Sequence, residues 1–240
     1  MVLVEGLYCP TVAFNCLRYV NDDKLRCAEY AKTRRCFGAL SPKRFCIDRF
    51  EYPNREGATP LLGLTWERAK AECESASKRL CTESEWTLAC EGPAPLPYPY
   101  GFIRDSRVCN IDRPYRFPND AAYANPSTRS EEIARLNQSE PSGTRRGCVS
   151  PYGVYDMTGN VDEWVLNEKG SRSSYPFISG LKGGYWGPVR NRCRPITDVH
   201  NIWHHGYQIG LRCCADPTDV VVPQCNANDM GADAAQCTLP

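Results

Sequence analysis

The sequence predicts a disulfide-rich α+β domain with little regular secondary structure, and three observations predict it. Fifteen of the 240 residues are cysteine, several times ordinary usage. None stands in a Cys-x-x-Cys pair, the knuckle that structural zinc prefers. Disulfides formed in an oxidising compartment are the better account of so many thiols. Next, one strand-like segment and two punctuated helices fall close together between residues 45 and 92. Finally, proline, glycine, asparagine and serine crowd the chain beyond that point, which predicts long coil.

In chain order, residues 1–44 hold Cys9, Cys16, Cys27 and Cys36 with few helix or strand periods. They read as a Cys-rich N-terminal extension. Residues 45–216 form the compact domain. Cys46-Ile47-Asp48-Arg49-Phe50-Glu51-Tyr52 alternates as a strand. Thr65 caps a helix from Trp66 to about Ala76, with Trp66, Ala69 and Cys73 on one face. Thr82 and Glu85 have the spacing of a capping box for a second helix, ending at Glu91-Gly92-Pro93. Regular structure is expected to resume over 154–157, 177–184 and 207–213. Residues 217–240, with Cys225 and Cys237, read as a tail pinned by disulfides.

Charge excludes several partners. With 29 basic and 28 acidic residues the net charge is +1, which leaves no footprint for nucleic acid or an anionic membrane. No apolar run approaches the roughly 18 residues that span a bilayer. The opening Met1-Val2-Leu3-Val4-Glu5-Gly6 lacks the basic and apolar regions of a signal peptide, so an export signal or anchor is expected to have been trimmed. The expected location is periplasm, cell surface or secreted. Fifteen is odd, so at least one thiol is expected to stay free or to join another chain in an oligomer or larger cell-surface assembly.

Four segments, in order, carry a family resemblance. They are Trp66 to Cys73 leading into Lys78-Arg79-Leu80-Cys81-Thr82-Glu83-Ser84-Glu85-Trp86; Tyr152-Gly153-Val154-Tyr155-Asp156-Met157-Thr158-Gly159-Asn160-Val161-Asp162-Glu163-Trp164; Leu181-Lys182-Gly183-Gly184-Tyr185-Trp186; and Ile209-Gly210-Leu211-Arg212-Cys213. Together they resemble the formylglycine-generating enzyme, or sulfatase-modifying factor, family. The resemblance implies an α+β fold of the C-type-lectin-like kind. It also implies disulfides Cys73–Cys213 and Cys90–Cys193. Cys109 is expected to pair with Cys148, and Cys9, Cys16, Cys27 and Cys36 largely among themselves.

In that family two cysteines between the Gly-Gly turn and the disulfide cysteine bind copper and activate oxygen on a sulfatase-type Cys-x-Pro-x-Arg peptide. Here the matching stretch, Tyr185-Trp186-Gly187-Pro188-Val189-Arg190-Asn191-Arg192, contains no thiol. Copper(I) needs soft sulfur ligands, so no copper is expected. The resemblance does imply calcium at Asp156, Gly159, Val161 and Glu163, the glycine and valine through their carbonyls, and hard oxygen donors suit that ion. The plain alternative is a turn with solvated acids, and Asp162 is expected to point away. A second calcium is expected to begin at Asn110 and Ile111.

Tyr185, Trp186, Arg190, Trp203 and Tyr207 mix aromatic faces with a guanidinium and are the candidate ligand-binding residues, with Trp186 more readily read as buried beside the Gly-Gly strand. No Ser-His-Asp order or phosphate loop emerges. The expected function is a non-catalytic extracytoplasmic binding or structural module, stabilised by calcium and disulfides, that presents this surface to a protein or glycan. The alternative is a metal-dependent oxidase of the sulfatase-modifying-factor or non-haem-iron type. His200 and His204, with Asp198 nearby, would supply its metal site, although solvated loop histidines are the simpler account.

Overall fold

The computed structural model describes residues 1–22, 24–168 and 177–217. The first four strands are β1 (Val2–Tyr8), β2 (Thr11–Tyr19), β3 (Cys27–Phe37) and β4 (Ser41–Ile47). Helix α1 (Trp66–Ser75), strand β5 (Arg79–Leu80) and helix α2 (Glu83–Glu91) follow, then two short helices, α3 (Asp120–Ala124) and α4 (Arg129–Leu136). The remaining elements among the described residues are β6 (Asp162–Leu166), β7 (Ser179–Lys182), β8 (Ile196–Thr197), β9 (Ile209–Leu211) and β10 (Cys213–Ala215). One sheet has the order β1-β4-β10-β5, a second β8-β7-β6-β9, and β2 with β3 forms a separate hairpin. This is an α+β architecture with little helix, as the sequence predicts.

The two long helices begin where their caps put them. The Thr65 hydroxyl accepts from the Arg68 amide at 3.3 Å. In α2 the Thr82 hydroxyl accepts from the Glu85 amide while the Glu85 carboxylate accepts from the Thr82 amide at 2.9 Å, satisfying two donors that a helix start leaves open. α1 buries Trp66, Ala69 and Cys73 against Leu80, Trp164, Ile209 and Leu211. A second core cluster joins Trp86 and Leu88 of α2 to Val2, Val4 and Tyr8 of β1 and to Phe45 and Ile47 of β4.

Four expectations need correction. Residues 1–44 are not poor in strands: they carry β1, β2, β3 and most of β4. β1 pairs with β4 from Val2↔Ile47 to Tyr8↔Ser41, and its alternate residues are core. The hairpin gave little signal because β3 is exposed from Lys32 to Phe37, so no clean alternation marks it. The strand read over 46–52 is Ser41–Ile47 instead. Beyond Ile47 the chain leaves the sheet because Asp48 and Glu51 are buried and must reach partners: Asp48 accepts Lys78 Nζ at 2.6 Å and Glu51 accepts the Ser142 hydroxyl at 2.6 Å. Residues 154–157 form no strand, only an isolated Val149↔Tyr155 bridge, and Asp156 takes φ 57°, outside extended geometry. The region read as coil contains α3 and α4. The Asn119 side chain caps α3 by accepting from the Ala122 amide at 3.2 Å.

Disulfides tie distant parts together. Cys73 bonds Cys213, Cys81 bonds Cys214 and Cys90 bonds Cys193, across sequence separations of 140, 133 and 103. Cys109–Cys148, Cys9–Cys36 and Cys16–Cys27 close shorter loops, and Cys46 is disulfide-bonded as well. The expected tail, with Cys225 and Cys237, lies outside the described residues apart from its first, Pro217.

Closing a loop of about a hundred residues removes roughly 4 to 5 kcal/mol of unfolded-state entropy. Replacing both partners of Cys90–Cys193 by serine is therefore expected to lower the urea unfolding free energy by about that amount. A loss under about 1 kcal/mol would show that other links already constrain the same loop.

Candidate functional site

The segment from Asp156 to Glu163 bends because Asp156, Gly159 and Asn160 all take positive φ, at 57°, 81° and 56°. Gly159 has a second constraint: a Cβ there would lie 2.4 Å from the Asn110 carbonyl oxygen and from Ile111. The bend delivers Glu163, on β6, to the fully buried Arg212 between β9 and β10. The Arg212 guanidinium donates to Glu163 at 2.8 to 3.2 Å, to the Asp48 carbonyl at 2.9 Å and to the Tyr155 carbonyl at 2.8 Å. The Trp86 indole donates to the same carboxylate at 2.7 Å.

Two further buried acids face this pair. Asp156 accepts the Gly143 amide at 2.7 Å, and burial pushes its carboxyl up to about 6. Glu51 accepts the Asn160 amide group at 2.9 and 3.0 Å. Burial, reinforced by the charges of Asp156 and Glu163, holds it well above the usual carboxylate range. Three carboxylates thus surround one guanidinium, leaving two formal negative charges for protons or a divalent cation to balance. Hard oxygen donors and that charge fit calcium, although a cation would have to share Glu163 with Arg212 and Trp86. Among the described residues no three His, Cys, Asp or Glu side chains converge as a metal cage, so backbone carbonyls would supply the remaining ligands. Asn110 fits a second cation poorly, because its side-chain oxygen accepts from Arg113 at 2.9 Å.

A cleft of about 440 Å³ opens beside the Gly183-Gly184 turn. Its walls include Leu25, Leu181 and Val189, and its polar groups include Asp162, Arg190 and His200. Asp162 lies in this wall, and burial pushes its carboxyl up to about 7 against the Gly184 amide that favours its charge. Arg26 also lines the cleft, its guanidinium 2.8 Å from the Asp112 carboxylate, which it shares with Arg104. His200 stacks on His204 with ring centroids 3.7 Å apart, and burial lowers both imidazoles. They lie in a loop, not on the helix face that their spacing could suggest.

Residues 27–217 match the family of the sulfatase-modifying factor enzyme 1-like domain. The chain belongs to that family. It is 26% identical over 185 residues to the formylglycine-generating enzyme of Mus musculus, covering 75% of this chain and 45% of that protein. It is 26% identical over 167 residues to the inactive C-alpha-formylglycine-generating enzyme 2 of Bos taurus, covering 65% of this chain and 50% of that one. The chain therefore spans about half the length of these curated relatives. Among solved structures the fold is similar to CarF, with TM-score 0.57 and 15% identity over 90% of this chain and 97% of that one. It is also similar to PvdO from Pseudomonas aeruginosa, with TM-score 0.51 and 17% identity over 89% and 94%.

Within this sulfatase-modifying factor domain the five candidate ligand residues are spread over several depressions, although Trp186 is in ring contact with both Tyr185 and Tyr207. Tyr185 and Arg190 line the main cleft. Tyr207 lines a second cavity of about 370 Å³ with Tyr123, Arg129 and Ile133. Trp203, 67% exposed, borders a shallow depression with His204. Trp186 is not a surface contact: it is 2% exposed and packs edge-on to Tyr185, as expected for a large apolar ring beside a strand. Sequence reading left Asp162 out of the site and assigned no site role to Glu51. Asp162 was hidden by its acidic neighbour Glu163, and Glu51 by the apparent strand around it.

Removing one member of a buried ion pair strands the other, at a cost of about 3 to 5 kcal/mol. Arg212→Met is expected to lower the unfolding free energy by about that amount. The double variant with Glu163→Met should lose less than the sum of the two single variants in urea denaturation, because neither charge is then left alone.

Proposed function

We propose that this domain is a non-catalytic, extracytoplasmic ligand-binding module built on the sulfatase-modifying factor scaffold, with its ligand held in the cleft beside Gly183-Gly184. One observation carries the reading. All thirteen cysteines among the described residues are disulfide-bonded, and the stretch 185–192 beside the cleft contains none. A cleft without thiolates offers copper(I) no soft ligand. Cys193, the cysteine nearest that stretch, is fully buried and bonded to Cys90. The dense disulfides suit an oxidising compartment, and no helix among the described residues is long and apolar enough to cross a membrane.

The test is direct. A Cys-x-Pro-x-Arg peptide incubated with the protein, copper and a reductant should keep its thiol, read by mass spectrometry. Conversion to the aldehyde above a protein-free blank overturns the reading. So does tightly bound iron or copper after purification accompanied by oxygen consumption.

The same proposal gives the scaffold a structural calcium near Asp156 and Glu163, where the charge deficit supports it. An ion bound only by the folded state stabilises it by about 2.7 kcal/mol at a hundredfold excess over Kd. Excess chelator should lower Tm, and added calcium should restore it. Glu163→Gln should blunt that response more than Asp162→Asn. A melting curve indifferent to chelator would remove the ion from the proposal.

A further inference from the structure

The main cleft is lined by two opposite charges, Asp162 and Arg190, neither of which forms an ion pair among the described residues. Among the described residues Asp162 makes no ion pair; the Gly184 amide and, more weakly, the positive charge of Arg190 across the cleft favour its ionised form. Arg190 is exposed, lines the same cavity and likewise forms no ion pair among those residues. Of the other charged groups in the lining, Arg26 is already committed to Asp112. The rest of the wall is largely apolar, with Leu25, Leu181 and Val189.

Those features select a ligand class. A simple cation would satisfy Asp162 but meet Arg190 as a like charge, and a simple anion would meet Asp162 as one. A purely apolar ligand would cover both charges without partnering either, which is costly. A ligand with an ammonium and a carboxylate a few bonds apart satisfies both, and charge-assisted hydrogen bonds at the two ends fix its orientation. The cavity volume lies in the range of small-molecule sites. We propose that the cleft binds a small zwitterion of the amino-acid or dipeptide class with an apolar side chain, its ammonium on Asp162, its carboxylate on Arg190 and its side chain against Leu25, Leu181 and Val189. This inference rests on the binding-module reading and names the ligand class of the same cleft.

Isothermal titration of the intact protein tests it with L-leucine and L-leucyl-L-leucine, against N-acetyl-L-leucine, which lacks the ammonium, and L-leucinamide, which lacks the carboxylate. At least one zwitterion should bind saturably. Each blocked form should bind about tenfold or more weakly, the usual scale for losing one hydrogen bond to a charged group. Arg190→Gln, a change at an exposed side chain, should bring leucine down to the level of leucinamide. Asp162→Asn should bring it down to the level of the acetylated form. If Asp162→Asn does not fold, the comparison of blocked and free leucine on the unaltered protein still decides. No saturable binding of either zwitterion, equal binding of the blocked forms, or indifference to Arg190→Gln overturns the inference. Those failures leave the binding-module reading standing as long as the thiol peptide stays unconverted, whereas conversion overturns that reading whatever the titration shows.

Discussion

The buried pairing of Arg212 with Glu163 is the contact on which the rest of the domain turns. Arg212 stands between β9, in one sheet, and β10, in the other. Its guanidinium reaches the strand that carries Glu163, the carbonyl of Asp48 just beyond β4, and the carbonyl of Tyr155 at the start of the bend. Trp86 brings α2 to the same carboxylate. A planar group with five donors suits this work, since a lysine could not bridge so many acceptors from one position. Burial makes the arrangement all-or-none: each charge is tolerable only while the other is in place.

From this centre the surrounding chemistry follows. Asp156 and Glu51 are buried beside a pair that already has one anion per cation, so burial first and neighbouring negative charge second make both hold their protons more tightly than exposed acids would. The bend at Gly159 and Asn160 leads the chain into β6, which carries both Asp162 and Glu163. Glu163 enters the core, and Asp162 lines the cleft. Neighbours in a strand point to opposite faces, so one short strand serves both the structural centre and the binding surface.

Local signals in the sequence were legible where the physics is local. Thr65, Thr82 and Glu85 placed two helices to within about a residue because a cap involves only the first turn. The strand β1 was missed although Val2, Val4 and Tyr8 alternate, since its partner β4 and its packing against Trp86 lie far along the chain. α3 was hidden among prolines and asparagines, where its Asn119 cap reads equally as a turn. The cleft was the least legible feature. Leu25, Asp162, Val189 and Gln208 meet there only because the sheets and disulfides bring them together, and no spacing in the sequence encodes that meeting. Trp186 had two readings, a recognition surface from its residue type and a core position beside the Gly-Gly strand, and its burial is the second.

Strand β10 lies in the interior of its sheet, between β4 and β5, and its two adjacent cysteines bond to Cys73 and Cys81. The first sheet therefore cannot be completed until nearly the last described residue has been synthesised. Strands β1 and β4 must wait with an open edge, a template for wrong pairing, while about 165 intervening residues emerge, roughly ten to thirty seconds at ordinary elongation rates. The hairpin cysteines, separated by only 11 and 27 residues, can oxidise early, whereas the three described bonds that span more than 100 residues must form late. Such a chain is suited to being delivered unfolded and assembled as a whole afterwards, and its yield depends on holding that open edge apart from other chains in the interval.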